Sequence, residues 1–286
     1  MSSYPGSRAT GPEIVHDSST LDDRLAELRR CLSALGKVVV AFSGGADSAF
    51  LARVATDELG RENVLCVTAV SPSLAPEELS DLRALASEWS LRHEEVVTDE
   101  LADPRYRAND GTRCAHCKGA LLDAVAPIAT IATATVVLGV NVDDLGDHRP
   151  GQQVAAERGA VFPLVQAGFT KNEVRQASKK LGLRTWDKPA AACLASRIPY
   201  GTPVTIQNVK TVDRGEEAIR ALGFRQFRVR FHGDIVRIEV APEELARAMT
   251  LEMAHKFTAI FKPLGFHYVT LDLEGYRQGS LNAVLS

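Results

Sequence analysis

The chain has 286 residues, 45% of them hydrophobic and 24% charged, a composition typical of a soluble globular protein with a sizeable core. Its formal net charge of −3 argues against the dense basic face that nucleic-acid binding requires. It has no apolar run of about 18 residues, so we expect no membrane span. Five cysteines without a recognisable export signal favour a reducing cytoplasm over a disulfide framework.

The first 18 residues are rich in Ser, Gly and Pro and are predicted to form a disordered tail. Leucines then recur at helical spacing from Leu21 to Leu35, behind the candidate caps Ser19 and Thr20. Short apolar runs without alternation predict strands buried on both faces, at 37–42, 64–70 and 135–140. Helical patterns lie between and after these runs, at 48–59, 76–89 and 117–131. This alternation predicts an α/β domain with a doubly wound parallel sheet, over residues 19–203.

The pattern changes after about Gly201. A helical stretch at 206–222 is followed by alternating residues on both sides of a Gly-Asp turn at 233–234, which predicts a hairpin. A helix at 242–261 and a strand at 266–273 follow. Residues 204–286 are therefore predicted to form a second, smaller α+β domain. Upstream of it, a capping box at 170–173 begins one more helix.

A glycine-rich loop, SGGADS, follows the first predicted strand and opens a helix. Gly44 and Gly45 allow a tight turn and close approach of backbone N–H groups to a phosphate. The helix adds unpaired N–H groups and the positive end of its dipole, while Ser43 and Ser48 add hydroxyl donors. Asp47 can approach a Mg²⁺ ion or orient the loop. An ordinary glycine-rich turn is the plain alternative, and both the P-loop and G-x-G-x-x-G patterns are absent.

SGGADS resembles the PP-loop of the adenine nucleotide α-hydrolase family, written there SGG-x-DS. Members hold the leaving pyrophosphate of ATP in this loop while a substrate oxygen attacks the α-phosphate, and an adenylated intermediate forms. The resemblance implies that the pyrophosphate-binding residues here are Ser43, Gly44, Gly45, Asp47 and Ser48.

Three cysteines are candidates for sulfur or metal chemistry. Cys114 and Cys117 have Cys-x-x-Cys spacing, and Cys193 lies far downstream. Spacing alone leaves four functions open for these cysteines: a redox pair, a zinc site that includes His116, a three-thiolate cluster with one open iron, or unrelated thiols. The remaining two cysteines, Cys31 and Cys66, fall on apolar faces and are expected to pack in the core.

Several stretches together resemble the LarE family, sulfur transferases that mature the nickel-pincer cofactor of lactate racemase. The similarity runs in order from about Leu21 to Asn282 and is carried by 40–45, 147–151, 196–201, 228–234 and 268–272. The resemblance implies that ATP adenylates a carboxylate of a pyridinium dicarboxylate mononucleotide. A sulfur nucleophile then displaces AMP and leaves a thiocarboxylate.

The family has a branch in which a single cysteine gives up its own sulfur, and that cysteine aligns with Ala192 here. The other branch carries a Cys-x-x-Cys pair and a later cysteine, which Cys114, Cys117 and Cys193 match. The resemblance therefore implies a [4Fe–4S] cluster that carries a labile sulfur. It also implies self-association, because LarE-like proteins assemble as hexamers.

Basic and polar residues late in the chain are the candidate partners of the substrate's phosphate and carboxylates. Guanidinium groups bind both anions bidentately, and Arg228 and Arg230 share one face of the predicted hairpin. A solvated strand face is the plain alternative for that pair, and the family resemblance favours the active site. The same resemblance adds Arg197, Ser196 and Glu216, with Arg277 as a weaker candidate. Asp143, Asp144 and Asp147 form an acidic loop that suits either Mg²⁺ or solvent.

Three other functions are compatible with parts of this pattern. An amide-forming PP-loop synthetase also adenylates, but it needs ammonia and usually a glutaminase domain. A PP-loop tRNA thiolase shares the Cys-x-x-Cys cluster but needs a basic surface. A nucleotide-sensing module would bind ATP without turnover and leave the arginines and cysteines idle.

Overall fold

The computed structural model of the chain describes residues 20–146, 150–189 and 193–277. The predicted tail, Asp147 and Ala192 lie outside these residues. Within them the strands are β1 (Val38–Ala41), β2 (Val64–Val70), β3 (His93–Val97), β4 (Thr135–Leu138), β5 (Phe227–His232), β6 (Ile235–Val240) and β7 (Tyr268–Leu271). The helices are α1 (Leu21–Leu35), α2 (Ala46–Leu59), α3 (Pro76–Glu88), α4 (Pro104–Ala108), α5 (Arg113–Ala132), α6 (Pro150–Glu157), α7 (Pro163–Gln166), α8 (Lys171–Lys180), α9 (Ile206–Ala221), α10 (Leu245–Ala248) and α11 (Leu251–Phe261).

The first sheet is parallel and has the strand order β3-β2-β1-β4. Its central strand β1 is buried on both faces, which explains a run of valines without alternation. The predicted doubly wound α/β domain is confirmed. Because the chain leaves β1 to one side and later returns to its other side at β4, a crevice opens at the carboxyl ends of these two strands. Ligands bind at such a crevice in open α/β sheets.

Helices cover both faces of this sheet. On one face Val38, Val40 and Phe42 pack with α1 and α2 in the largest core cluster. On the other face Val39 and Val67 pack against α5. The predicted caps also form, since Thr20 and Thr170 each close a capping box at the start of α1 and α8. This packing fixes the start of α2, and with it the glycine-rich loop.

The second sheet has the order β5-β6-β7, with β5 and β6 as the predicted antiparallel hairpin and β7 parallel to β6. Its core contains Val229, Ile238, Phe257 and Phe261. Helix α9 packs closely on α11 and on β5 because Gly215 has no side chain: a Cβ there would lie 2.7 Å from Phe261 and 3.2 Å from Val229. The predicted α+β character of the second part is confirmed.

Several details differ from the sequence expectations. The predicted helix 242–261 is broken into a 3₁₀ turn, α10 and α11, because Thr250 caps a new helix. Strand β3 was not predicted, and β4 and β7 are shorter than expected. Cys66 is buried as expected, whereas Cys31 is partly exposed.

The predicted domain boundary at residues 203 and 204 stays a prediction. Helix α9 follows this boundary in the chain, yet it packs against residues from both parts. Val209 and Val212 belong to the apolar cluster that contains Leu194, whereas Ile219 belongs to the core of the second sheet. No helix in the described part of the chain is long and apolar enough to span a membrane.

Candidate functional site

The loop between β1 and α2 folds back on itself through its two serines. The backbone N–H of Ser43 donates to Oγ of Ser48 at 3.2 Å, and the two hydroxyl oxygens are 3.0 Å apart. Gly44 has φ +67° and lies beside Leu82, so only glycine is comfortable there. Gly45 caps α2 without a side-chain hydrogen bond. The first N–H groups of α2 therefore remain available to an anion.

Asp47 is held by two residues from other parts of the chain. One of its carboxylate oxygens forms an ion pair with the ammonium of Lys171, the first residue of α8. The other accepts a hydrogen bond from Nδ2 of the buried Asn141 at 3.2 Å. The backbone N–H of Lys171 in turn donates to Asp143 at 2.8 Å. Of the two predicted roles of Asp47, the geometry favours orientation of the loop.

Gly139, directly after β4, brings the backbone of one strand end against the start of α2. A Cβ at this position would lie 2.7 Å from the backbone nitrogen of Ser48 and 2.8 Å from the carbonyl carbon of Asp47. Both atoms belong to the backbone and cannot rotate away. The glycine therefore permits the close approach that places the loop over the crevice.

A cavity of about 220 Å³ lies at this crevice, between the loop and the carboxyl ends of β1 and β4. The loop contributes Ser43, Gly45, Asp47 and Ser48, and the rest of the lining is apolar apart from Thr68 and Lys118. Among the described lining residues, Lys118 of α5 is the only basic side chain. Burial lowers the pKa of its ammonium. A depression of about 630 Å³ along the edge of β3 is larger, but it shares no residue with the loop.

The three candidate cysteines lie near one another at the start of α5. Cys117 interacts electrostatically with both Cys193 and Cys114, and burial raises the pKa of its thiol to about 12. Cys114 and Cys193 are exposed. Lys118 interacts with Cys117 and Cys114, so one side chain borders both the cavity and the thiols. The structure thus brings a Cys-x-x-Cys pair and a thiol about 76 residues downstream to one place, beside the nucleotide cavity.

Thiolates are the ligands that iron–sulfur clusters use, so this donor set suits a cluster in its chemistry and number. Its arrangement does not: among the described residues, no three His, Cys, Asp or Glu side chains are placed to hold a metal ion. His116, the candidate fourth ligand, instead lies 3.8 Å from a carboxylate oxygen of Asp103.

The predicted arginines converge on the loop that follows Cys193. Arg197 is buried and forms a bidentate pair with Glu216, at 2.8 and 3.0 Å. It also donates to the hydroxyl of Ser196 at 3.0 Å and to the carbonyl oxygen of Cys193 at 3.2 Å. Glu216 accepts a further hydrogen bond from the backbone of Val229 at 3.2 Å. Removing one partner of such a buried pair costs about 3–5 kcal/mol.

The other two arginines lie on the first strand of the hairpin, and Arg230 contacts the same loop. Arg230 donates to the carbonyl oxygen of Ser196 at 3.0 Å and to the fully buried Glu239 at 2.8 Å. Arg228 lies with its guanidinium carbon 4.9 Å from the ring centre of Tyr276. Burial lowers the pKa of Arg228, and the positive charges of Arg197 and Arg230 lower it further. Three arginines and two glutamates therefore give this cluster a positive charge, which suits an anion. Arg277 instead pairs with Glu274 on the surface.

Comparison with known proteins places this chain in a family. A family model described as NAD synthase matches residues 21–110, which include β1, the loop and α2. The chain is 36% identical to the pyridinium-3,5-bisthiocarboxylic acid mononucleotide synthase of Lactiplantibacillus plantarum, over 94% of this chain and 97% of the relative. The chain belongs to the LarE family. It is also 46% identical to an uncharacterized protein of Synechocystis sp., over 93% of this chain and 99% of the relative.

The NAD synthase match covers only the nucleotide loop and its surroundings, whereas the LarE relative spans the cysteines and arginines as well. The match to this relative thus covers the regions of the chain that contain the loop, the thiols and the arginine cluster. Their individual roles stay predictions.

Sequence reasoning missed the side chains that complete the loop. Lys171 sits inside the predicted capping box, Gly139 lies inside a predicted strand, and Asn141 directly follows that strand, so each position was on or next to a recognised element. Nothing local indicated contact with Asp47, which is 124 residues from Lys171 in the chain. The one available signal was that carboxyl ends of neighbouring parallel strands meet at the same sheet edge.

Proposed function

We propose that this protein is an ATP-dependent sulfur transferase that converts a carboxylate of a pyridinium dicarboxylate mononucleotide into a thiocarboxylate. The observation that carries the proposal is the meeting of a pyrophosphate-type loop, three thiols and an arginine cluster within one LarE-family chain. The thiocarboxylate is a precursor of the nickel-pincer cofactor.

In the first step a carboxylate oxygen of the substrate attacks the α-phosphorus of ATP, and pyrophosphate leaves. The N–H groups of α2, the hydroxyl groups of Ser43 and Ser48, and the glycines of the loop hold the pyrophosphate. Lys171 and Asn141 keep Asp47 in place beneath it. Lys118 faces the cavity from α5 and stabilises the negative charge that develops on the phosphate. Mg²⁺ accompanies the nucleotide in this proposal.

In the second step a sulfur nucleophile attacks the acyl carbon, and AMP leaves. We place the sulfur at Cys114, Cys117 and Cys193, which lie together beside Lys118. In this proposal the three thiols would hold a [4Fe–4S] cluster, and that cluster would supply the sulfur for transfer. Because these thiols are not arranged to hold a metal ion in the described residues, loading the cluster requires them to draw together.

The arginine cluster holds the mononucleotide. Arg230 reaches the loop after Cys193, and Arg197 is fixed there by Glu216 and Ser196. Arg228 adds its positive charge near Arg197 and Arg230. A phosphate or carboxylate that binds this cluster would have its reactive carboxyl group directed toward the neighbouring thiols.

The first test is a reaction of the purified protein with ATP, Mg²⁺ and the pyridinium dicarboxylate mononucleotide. We expect AMP and pyrophosphate in equal amounts, formed only with the mononucleotide, and a product in which one oxygen is replaced by sulfur by mass spectrometry. AMP formation stimulated by ammonia or tRNA instead of the mononucleotide would overturn the substrate assignment.

The second test addresses the sulfur source. The protein is purified without oxygen, and its iron and acid-labile sulfide are measured beside a Cys114→Ser/Cys117→Ser variant. We expect close to four irons per chain, absent from the variant. A protein that transfers sulfur without iron after anaerobic reconstitution would refute the cluster and leave Cys193 as the direct donor.

Self-association, in the hexameric form implied by the family, is also part of the proposal. Light scattering after size-exclusion chromatography measures it directly, and a monomer at all accessible concentrations would contradict it. The five free cysteines suit a reducing cytoplasm, where we expect the protein to act.

A further inference from the structure

A buried asparagine binds several backbone groups of the loop that follows Cys193. Nδ2 of Asn109 lies 3.2, 2.8 and 2.8 Å from the carbonyl oxygens of Ile198, Pro199 and Thr202. The backbone carbonyl of Asn109 accepts a hydrogen bond from the N–H of Gly201 at 3.0 Å. Asn109 is fully buried and ends α4 in the left-handed conformation, which asparagine tolerates better than most residues.

Arg113 joins this asparagine to the other side of the same loop. Its Nη1 donates to Oδ1 of Asn109 at 2.6 Å and to the carbonyl oxygen of Ala195 at 2.9 Å. Its guanidinium lies over the ring of Tyr200, 5.6 Å from the centre. Arg113 is 5% exposed and is the residue immediately before Cys114.

These contacts connect the two places from which the thiols come. Arg113 begins α5, the helix that carries Cys114 and Cys117, and Ala195 is two residues after Cys193. Although burial disfavours charge on the Arg113 guanidinium, Cys193 and Cys114 raise its pKa. A buried arginine and a buried asparagine cost free energy unless their polar groups are satisfied, so a loop held only for stability would be served by apolar packing.

We propose that Asn109 and Arg113 form a positioning unit that sets the distance between Cys193 and the Cys114–Cys117 pair. The unit governs the sulfur-transfer step and leaves the ATP step unaffected, because neither residue lines the nucleotide cavity. This assignment of a step rests on the proposed function, whereas the positioning itself rests on the contacts of the two residues.

The test uses three variants of the full chain. Asn109→Asp keeps the size, the left-handed conformation and the acceptor for Arg113, but it replaces the donors to three carbonyl groups with an oxygen. Arg113→Lys keeps the positive charge but loses the guanidinium fork, and it tests the same unit if Asn109→Asp is unstable. Arg107→Ala removes an exposed arginine of α4 and is the matched control.

Thiol spacing is measured with dibromobimane, which becomes fluorescent only when it bridges two thiols, and the bridged cysteines are identified by peptide mass spectrometry. The wild type and Arg107→Ala should bridge Cys193 to Cys114 or Cys117. In Asn109→Asp this bridging and the rate of sulfur transfer should both fall about tenfold, because misplaced groups lose effective concentration. AMP formation should stay close to the wild type, whereas the melting temperature should fall, because the carbonyl groups lose their donor.

The outcomes separate this proposal from the proposed function. Wild-type rates of bridging and of sulfur transfer in both Asn109→Asp and Arg113→Lys would overturn the positioning unit. A parallel loss of AMP formation and sulfur transfer would also overturn it, since that result indicates general loss of structure. If the wild type transfers no sulfur but bridging still depends on Asn109, the unit is supported and only the proposed function fails.

Discussion

Replacing Gly139 with alanine tests whether close backbone approach shapes the nucleotide site. The backbone of Gly139 lies outside the left-handed region, so alanine meets no conformational obstacle. Its Cβ, however, would stand 2.7 Å from the backbone nitrogen of Ser48, whereas ordinary contact begins at 3.4 Å. The end of β4 and the start of α2 must therefore separate by about 0.7 Å.

The cost follows from which atoms collide. The contacts of the new methyl group are with the backbone of Asp47 and Ser48, which no rotamer change can relieve. Overpacking of this kind lowers the free energy of unfolding by about 2 kcal/mol. In a chain of this size, that loss lowers the melting temperature by about 4–8 °C. Because the shift moves the N–H groups that face the phosphate, KM for ATP should rise about tenfold.

Thermal unfolding and the ATP dependence of AMP formation measure the two effects. Gly111→Ala is the matched control, because Gly111 has open space around it and an ordinary backbone conformation. A Gly139→Ala protein with the melting temperature and KM of the control would refute the reasoning, since the strand end would then move without cost to the site.

Three further predictions concern single ionisable groups. Lys171→Met leaves Asp47 without its ion pair and should raise KM for ATP about tenfold. Lys171→Arg keeps the ion pair and should keep the wild-type KM, so equal KM values in the two variants would contradict the role of Lys171. Lys118→Met should lower kcat for AMP formation about 100-fold with little change in melting temperature, and an unchanged kcat would remove Lys118 from the first step. Burial raises the pKa of Cys66 to about 12, so its contribution to stability is complete below about pH 9 and is lost as the pH rises toward 12. Urea unfolding measures the free energy of unfolding at pH 9 and at pH 10.5. Between these pH values the wild type should lose about 2 kcal/mol more of that free energy than Cys66→Val. Equal losses in the two proteins would contradict the raised pKa of Cys66.

The sequence by itself determined the elements whose signals are local. Valines at 38–40 predicted a strand buried on both faces, because such a position leaves no place for polar residues. Thr20 and Thr170 predicted helix starts, because a side-chain cap satisfies nearby N–H groups. The glycines and serines of the loop indicated phosphate binding for the same kind of reason: their backbone and hydroxyl donors lie within one short segment.

Strand β3 shows where local signals stop. Its sequence, His-Glu-Glu-Val-Val, is charged because an edge strand is open to solvent, so no buried pattern identifies it. Pairing with β2 decides its structure instead, and that pairing depends on how the whole sheet assembles.

Only the tertiary structure decided how the site residues meet. Lys171 reaches Asp47, Asn109 holds the loop after Cys193, and Arg197 pairs with Glu216 inside the protein. Sequence reasoning marked Arg197 and Glu216 as site candidates but did not single out Lys171 or Asn109, since residue type fixes only which bonds are chemically possible. Which of those bonds form depends on burial and on the packing of distant segments, because a polar group removed from water must find its partner among the residues the fold brings to it.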